Sequence, residues 1–147
     1  MAVIDSSTLI SFAKMRRLDL LKALKTKLIT IKEVHEECVE RGIDLGFYDA
    51  LKIKQVFNEK TITVEDLAHY ENFSGVSKVD SKIISLAKEK KDQLLVDDVK
   101  LGRRAKAENI EVRNTPDILL HLTKTKKLTK KEFGELLQRL VQNKRMP

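Results

Sequence analysis

The sequence predicts a three-layer α/β sandwich, a short parallel sheet covered by helices on both faces. Three observations lead there. Strand-like and helix-like segments alternate along the 147 residues. The strand-like runs are short and almost wholly apolar, as in sheets buried on both sides. With 5 Gly and 2 Pro, the chain has little material for long loops or linkers. A chain of this length reads as one domain, residues 1–147.

Ala2-Val3-Ile4 is the first strand. It ends in Asp5, and Ser6-Ser7-Thr8 starts a helix continued by Leu9, Ile10, Phe12 and Ala13. A second helical piece covers Leu18 to Leu24. Leu28 to Ile31 is the next strand, and Lys32 to Arg41 follows as a helix with Gly42 as its stop. This helix holds Glu33, Glu36, Glu37 and Glu40. At about 100° per residue, Glu37 lies ~60° from the inward Val34, with Glu40 ~120° and Glu36 ~160° away. Glu37 is therefore expected to press against the interior.

Leu45 to Asn58 reads as a helix, Thr61 to Val64 as a β-branched strand, Glu65 to Phe73 as a short helix, and Gly75 to Lys78 as a turn. Val79 to Ala87 is strongly amphipathic, with Asp80 in its first turn, where the helix dipole favours an acid. Leu94-Leu95-Val96 is a buried strand that ends in two carboxylates, Asp97 and Asp98. Helix 99–109 and a short strand, Ile110-Glu111-Val112, come next. Thr115-Pro116-Asp117 opens a helix through Leu122, and Leu128-Thr129 caps a final helix, 130–144.

Charged residues make up 35% of the chain, and the net charge is +7. From Ile118 onward eight basic side chains face two acidic ones, so the C-terminal segment, helical over 115–147, is strongly basic. A localised positive surface suits a polyphosphate partner, although a solvated lysine-rich face explains it equally well. A single cysteine, Cys38, excludes an intrachain disulfide and suits a reducing cytosol. The N-terminus does not look like a secretion signal, and no apolar run approaches the ~18 residues of a membrane helix. A cytoplasmic protein is expected.

Four acids have a reason to converge: Asp5 and Asp98 at strand ends, Glu37 on a helix, and Asp80 in a helix's first turn. In open α/β sheets, ligands bind beyond the carboxyl ends of the strands. Carboxylates gathered there, without His or Cys, describe a site for a hard cation such as Mg²⁺ or Mn²⁺, which is suited to phosphoryl chemistry. Competing chemistries lack their motifs. There is no Gly-x-Gly-x-x-Gly or Walker-type cradle, His35, His69 and His121 are scattered, and Cys38 reads as core.

Val3-Ile4-Asp5-Ser6-Ser7-Thr8-Leu9-Ile10, Ile31-x-x-Val34-x-x-Glu37, Asp80-x-x-Ile83-Ile84-x-Leu86-Ala87 and Leu95-Val96-Asp97-Asp98 together resemble the PIN-domain nucleases, across almost the whole chain. The length also resembles stand-alone prokaryotic members, including VapC-type toxins of toxin–antitoxin pairs. The resemblance implies about five parallel strands and Mg²⁺- or Mn²⁺-dependent hydrolysis of single-stranded RNA, with one or two ions, to 5′-phosphate ends. It implies that Asp5, Glu37, Asp80 and Asp98 bind metal directly or through water, that Ser7 orients Asp5, and that water attacks in line. Two departures stand out. Val96 replaces a frequent Thr, and Asp97 is either a fifth ligand or an outward-pointing side chain. Arg103 and Arg104 are placed to meet RNA phosphates, though surface salt bridges account for them as well.

The leading expectation is a metal-dependent endoribonuclease, and the resemblance also implies a candidate role as the toxin of a toxin–antitoxin pair, restrained by an antitoxin protein. The alternative is an inactive PIN-like module that binds RNA or protein, and a third reading is a small-molecule phosphohydrolase. A homodimer follows from the resemblance, with the apolar faces of helices 44–58 and 130–144 as candidate surfaces.

Overall fold

A computed structural model describes residues 1–145, with side chains described to 142. Residues 146–147 of the expected domain, and the side chains of Lys144 and Arg145 counted in the basic segment, lie outside the described residues. The strands are β1 (Ala2–Ile4), β2 (Leu28–Thr30), β3 (Ile62–Val64), β4 (Gln93–Leu95) and β5 (Val112–Arg113). All pair in parallel, in the order β3-β2-β1-β4-β5. The chain therefore builds outward from β1 to β3, then returns to the other side of β1 for β4. That reversal makes a switch point between β1 and β4, where Val3 lies opposite Leu94 and Ile4 opposite Leu95.

The helices are α1 (Ser6–Lys14), α2 (Asp19–Ala23), α3 (Lys32–His35), α4 (Gly42–Asp44), α5 (Tyr48–Asn58), α6 (Lys78–Lys90), α7 (Val99–Ala107), α8 (Thr115–Lys124) and α9 (Lys130–Arg145). Between α3 and α4 runs a π-helical segment, Glu36–Arg41. The α/β alternation is as the sequence predicts because the apolar runs are core: Val3, Ile4, Leu28, Ile29 and Leu94 are fully buried, as is Phe12 of α1. The inward residues of α9, Leu136 and Leu140, are also buried within the chain. Among the described residues no helix is long and apolar enough to cross a membrane.

Three local expectations are corrected. Residues 65–73 form no helix. The N–H groups of Glu71 and Phe73 donate instead to the hydroxyls of Ser85 and Ser81 (3.0 Å each), which bind this segment to α6. The last strand is shifted to Val112–Arg113. Gly42 is not a stop: its backbone is right-handed helical, and the turn comes at Gly46, with φ +75°. Gly42 is needed for close packing, since a Cβ there would lie 2.7 Å from Ala50 Cβ. Gly42→Ala is thus expected to lower stability by about 1–3 kcal/mol through overpacking of α4 against α5. Urea unfolding midpoints check this, and an unchanged midpoint would mean that the helical pair separates freely.

Candidate active site

Asp5 follows β1 directly, and its extended backbone caps α1. Its carboxylate accepts hydrogen bonds from the Ser7 N–H (3.2 Å) and the Ser7 hydroxyl (2.6 Å). The same hydroxyl accepts from the N–H groups of Asp97 (2.9 Å) and Asp98 (3.2 Å). One serine thus ties the end of β1 to the end of β4. Asp5 is 5% exposed, whereas Asp98 is exposed and caps α7, accepting from the Leu101 N–H (2.9 Å).

Asp97 is engaged differently. One carboxylate oxygen accepts from the Thr115 N–H (2.6 Å); the other accepts from the Thr115 hydroxyl (2.6 Å) and from the Ser11 hydroxyl. The oxygens that a fifth ligand would offer a cation are therefore committed to joining α1, β4 and α8.

Asp80 is half-buried in the first turn of α6, behind the Ser77 cap. Its carboxyl is pushed above its ordinary value, first by burial and then by the negative charges of Asp5, Asp98 and Glu37. The Asp5 carboxyl is pushed up by burial too, against the opposing Ser7 hydrogen bonds, with Asp98 adding repulsion. These four acids share one electrostatic neighbourhood. Glu37 reaches it differently from what helical spacing suggests: its side chain is exposed, not pressed inward. The cause is the π-helical turn, whose wider i→i+5 winding breaks the 100° step used to place it. Beside it, burial first, then the charges of Glu37 and Asp5, push the Cys38 thiol up to about 12, so it stays protonated.

As they stand, no three His, Cys, Asp or Glu side chains among the described residues are gathered tightly enough to grip an ion. The Asp5 carboxylate is held by Ser7, and the Asp98 carboxylate by the Leu101 N–H.

The family described as DUF3368, PIN domain, matches residues 1–146. The chain belongs to the PIN-domain family. Among solved structures, this PIN domain is similar to a PilT N-terminus domain protein from the archaeon Sulfolobus solfataricus P2, with TM-score 0.59 and 18% identity over 82% of this chain and 91% of that one. It is also similar to a domain of a functionally unknown protein from Methanocaldococcus jannaschii DSM 2661, with TM-score 0.52 and 22% identity over 77% of this chain and 89% of that one. Both likenesses are of fold. Among curated protein sequences, none matches this chain.

PIN domains are typically metal-dependent nucleases, and the donor set of this one fits a hard divalent cation: four carboxylates, no imidazole, and a thiol that stays neutral. The two arginines after Asp98 part company. Arg104 is spent inside the PIN domain, donating to the Ser74 carbonyl (3.1 Å) and Glu108 (2.8 Å), with its guanidinium 5.3 Å from the Phe73 ring centre. Arg103 is exposed and lines a 370 Å³ hollow with Lys100 and Val99. Ser11 and Thr115 went unread in the sequence because nothing local links either hydroxyl to Asp97.

Raised carboxyls give a pH signature. The folded PIN domain holds protons on Asp5 and Asp80 that the unfolded chain releases near the ordinary value of 3.8. Between that value and the raised one the native state binds more protons, so this contribution to stability declines as pH rises. Without metal, Asp80→Asn should therefore melt at a higher temperature than wild type near pH 7.5, and the gap should close near pH 4. A gap of equal size at both pH values would contradict the shift.

Proposed function

We propose that this PIN domain is a Mg²⁺- or Mn²⁺-dependent endoribonuclease that hydrolyses single-stranded RNA to 5′-phosphate ends. The convergence of Asp5, Glu37, Asp80 and Asp98 at the switch point of the sheet carries the reading. A divalent ion bound there would neutralise phosphate oxygens and activate water. Asp5, fixed by Ser7, would be the anchor of the ion site. Asp98, with one oxygen on the Leu101 N–H, and the exposed Glu37 would complete the ion's ligands with Asp80, and the ion would offset the repulsion among these acids. Arg103 and Lys100, on the helix that follows Asp98, line a hollow where they would hold an RNA phosphate. Asp97 would position the β4 end and would not itself ligate.

The test is incubation of labelled single-stranded RNA with the full chain in Mn²⁺. Cleavage to 5′-phosphate products that stops on chelation supports the proposal; cleavage indifferent to chelation refutes it. A second reading, an inactive PIN-like module that binds RNA or protein, is favoured by Glu37, which the π-helical segment leaves exposed rather than pressed inward. Calorimetric Mn²⁺ titration separates the two, since the module would bind no ion. The narrower role of a toxin restrained by an antitoxin would show as a small DNA-binding protein encoded in the neighbouring reading frame.

A further inference from the structure

The chain has seven Phe and Tyr residues and no Trp. Two of them, Phe47 and Tyr48, are adjacent and fully surface-placed, 61% and 67% exposed, while the other five are buried or half-buried. Exposure of two neighbouring rings is costly in hydrophobic terms and calls for an occupant. The Gly46 turn and the Gly42–Ala50 packing hold the pair at the start of α5, where the Phe47 N–H donates to the Gly42 carbonyl (2.8 Å). Both rings border a 570 Å³ groove between α1 and the segment 37–53, and Glu37 of the acidic cluster lines the same groove. Lys14 and Arg41 line it too, and the Lys52 ammonium stands 5.8 Å from the Tyr48 ring centre. None of these three cations makes an ion pair among the described residues, and all three are exposed. Among the described residues, Asp49 is the only other acid lining the groove.

Flat rings beside cations that make no ion pair among the described residues, in a groove that Glu37 also lines, match the way single strands are held: bases stack on aromatic faces while cations track the phosphates. We propose that Phe47 and Tyr48 form a base-stacking platform for single-stranded RNA running out of the acidic crevice, with Lys14, Arg41 and Lys52 on its backbone. The platform rests on the nuclease reading and adds the path of the strand. It assigns a binding role to residues outside the acidic quartet and gives no preference for base identity, because every base offers a π-face.

Fluorescence anisotropy with a labelled RNA of about twelve nucleotides, within the usual site size, tests this on the full chain carrying Asp98→Asn, so that the strand is not consumed. Phe47→Ala with Tyr48→Ala should weaken binding about tenfold or more, and Tyr48→Phe should retain it. An RNA with abasic sites should bind the parent about as weakly as intact RNA binds the double variant, and the double variant should not distinguish the two RNAs. Unchanged affinity in the double variant, with RNA bound by the parent, overturns the platform and leaves the nuclease reading standing. A double variant that turns from dimer to monomer in sedimentation, with RNA affinity per chain unchanged, makes the patch a contact with a second copy and overturns the platform. Failure of the wild type to bind or cleave RNA overturns both.

Discussion

Asp98→Asn is expected to reduce Mn²⁺-dependent RNA cleavage at least ~100-fold, because losing a ligand should exceed the 10–100-fold effect typical of groups behind one. The fold should survive. Asparagine is as good a helix cap as aspartate, and its amide oxygen can still accept from the Leu101 N–H that now lies 2.9 Å away. The substitution therefore removes charge from the crevice while leaving α7 in place. Asp5→Asn should act likewise, since an amide oxygen can still accept from Ser7. The measurement is a cleavage time course in Mn²⁺ alongside a thermal melt. A variant that melts like wild type and cleaves like wild type would remove Asp98 from the reaction.

Asp97→Ala should do the reverse, with its main effect on stability: a loss of about 3 kcal/mol from hydrogen bonds to a charged acceptor, with buried donors left unpaired. Thr115 is fully buried at the start of α8, so neither its N–H nor its hydroxyl can turn to water when the carboxylate is gone. Asp97→Asn should cost less, because the two hydroxyls can reorient to accept from the new amide. Placing Asp97→Ala in a Thr115→Val background should recover part of the loss, as expected for partners in one network. Urea titration checks all three, and a stable Asp97→Ala would mean that the clamp contributes nothing. The adjacent aspartates thus separate by experiment, one through turnover and the other through unfolding.

What could be read ahead of the structure follows from how local each cause is. The sheet was legible because Ile4, Ile29 and Leu94 sit in apolar runs that only a covered sheet can bury. The placement of Asp5 and Asp98 was legible because each lies one to three residues beyond its strand. Asp97 was ambiguous because its acceptors' partners lie 86 residues back at Ser11 and 18 ahead at Thr115. Residues 65–73 were misread as helix because the N–H groups of Glu71 and Phe73 are satisfied by serines on another element, which propensity does not register. The face carrying Leu45 and Tyr48 was legible as a candidate surface for a second copy, but its second ring was not, because Phe47 precedes α5 and lies outside the helical pattern.

The π-helical turn has a consequence for comparing this chain with its relatives. A π turn holds one residue more than the α turn it replaces, so a homologue with plain α-helix here should align with a one-residue gap somewhere in Glu36–Arg41. Glu36 and Glu37 are neighbours at the start of that stretch. A gap set on the wrong side of them would pair the relative's acid with Glu36 in place of Glu37, the residue proposed as a ligand. Superposition of backbones, with the gap placed where the ladder of hydrogen bonds widens, keeps Glu37 in register with the crevice.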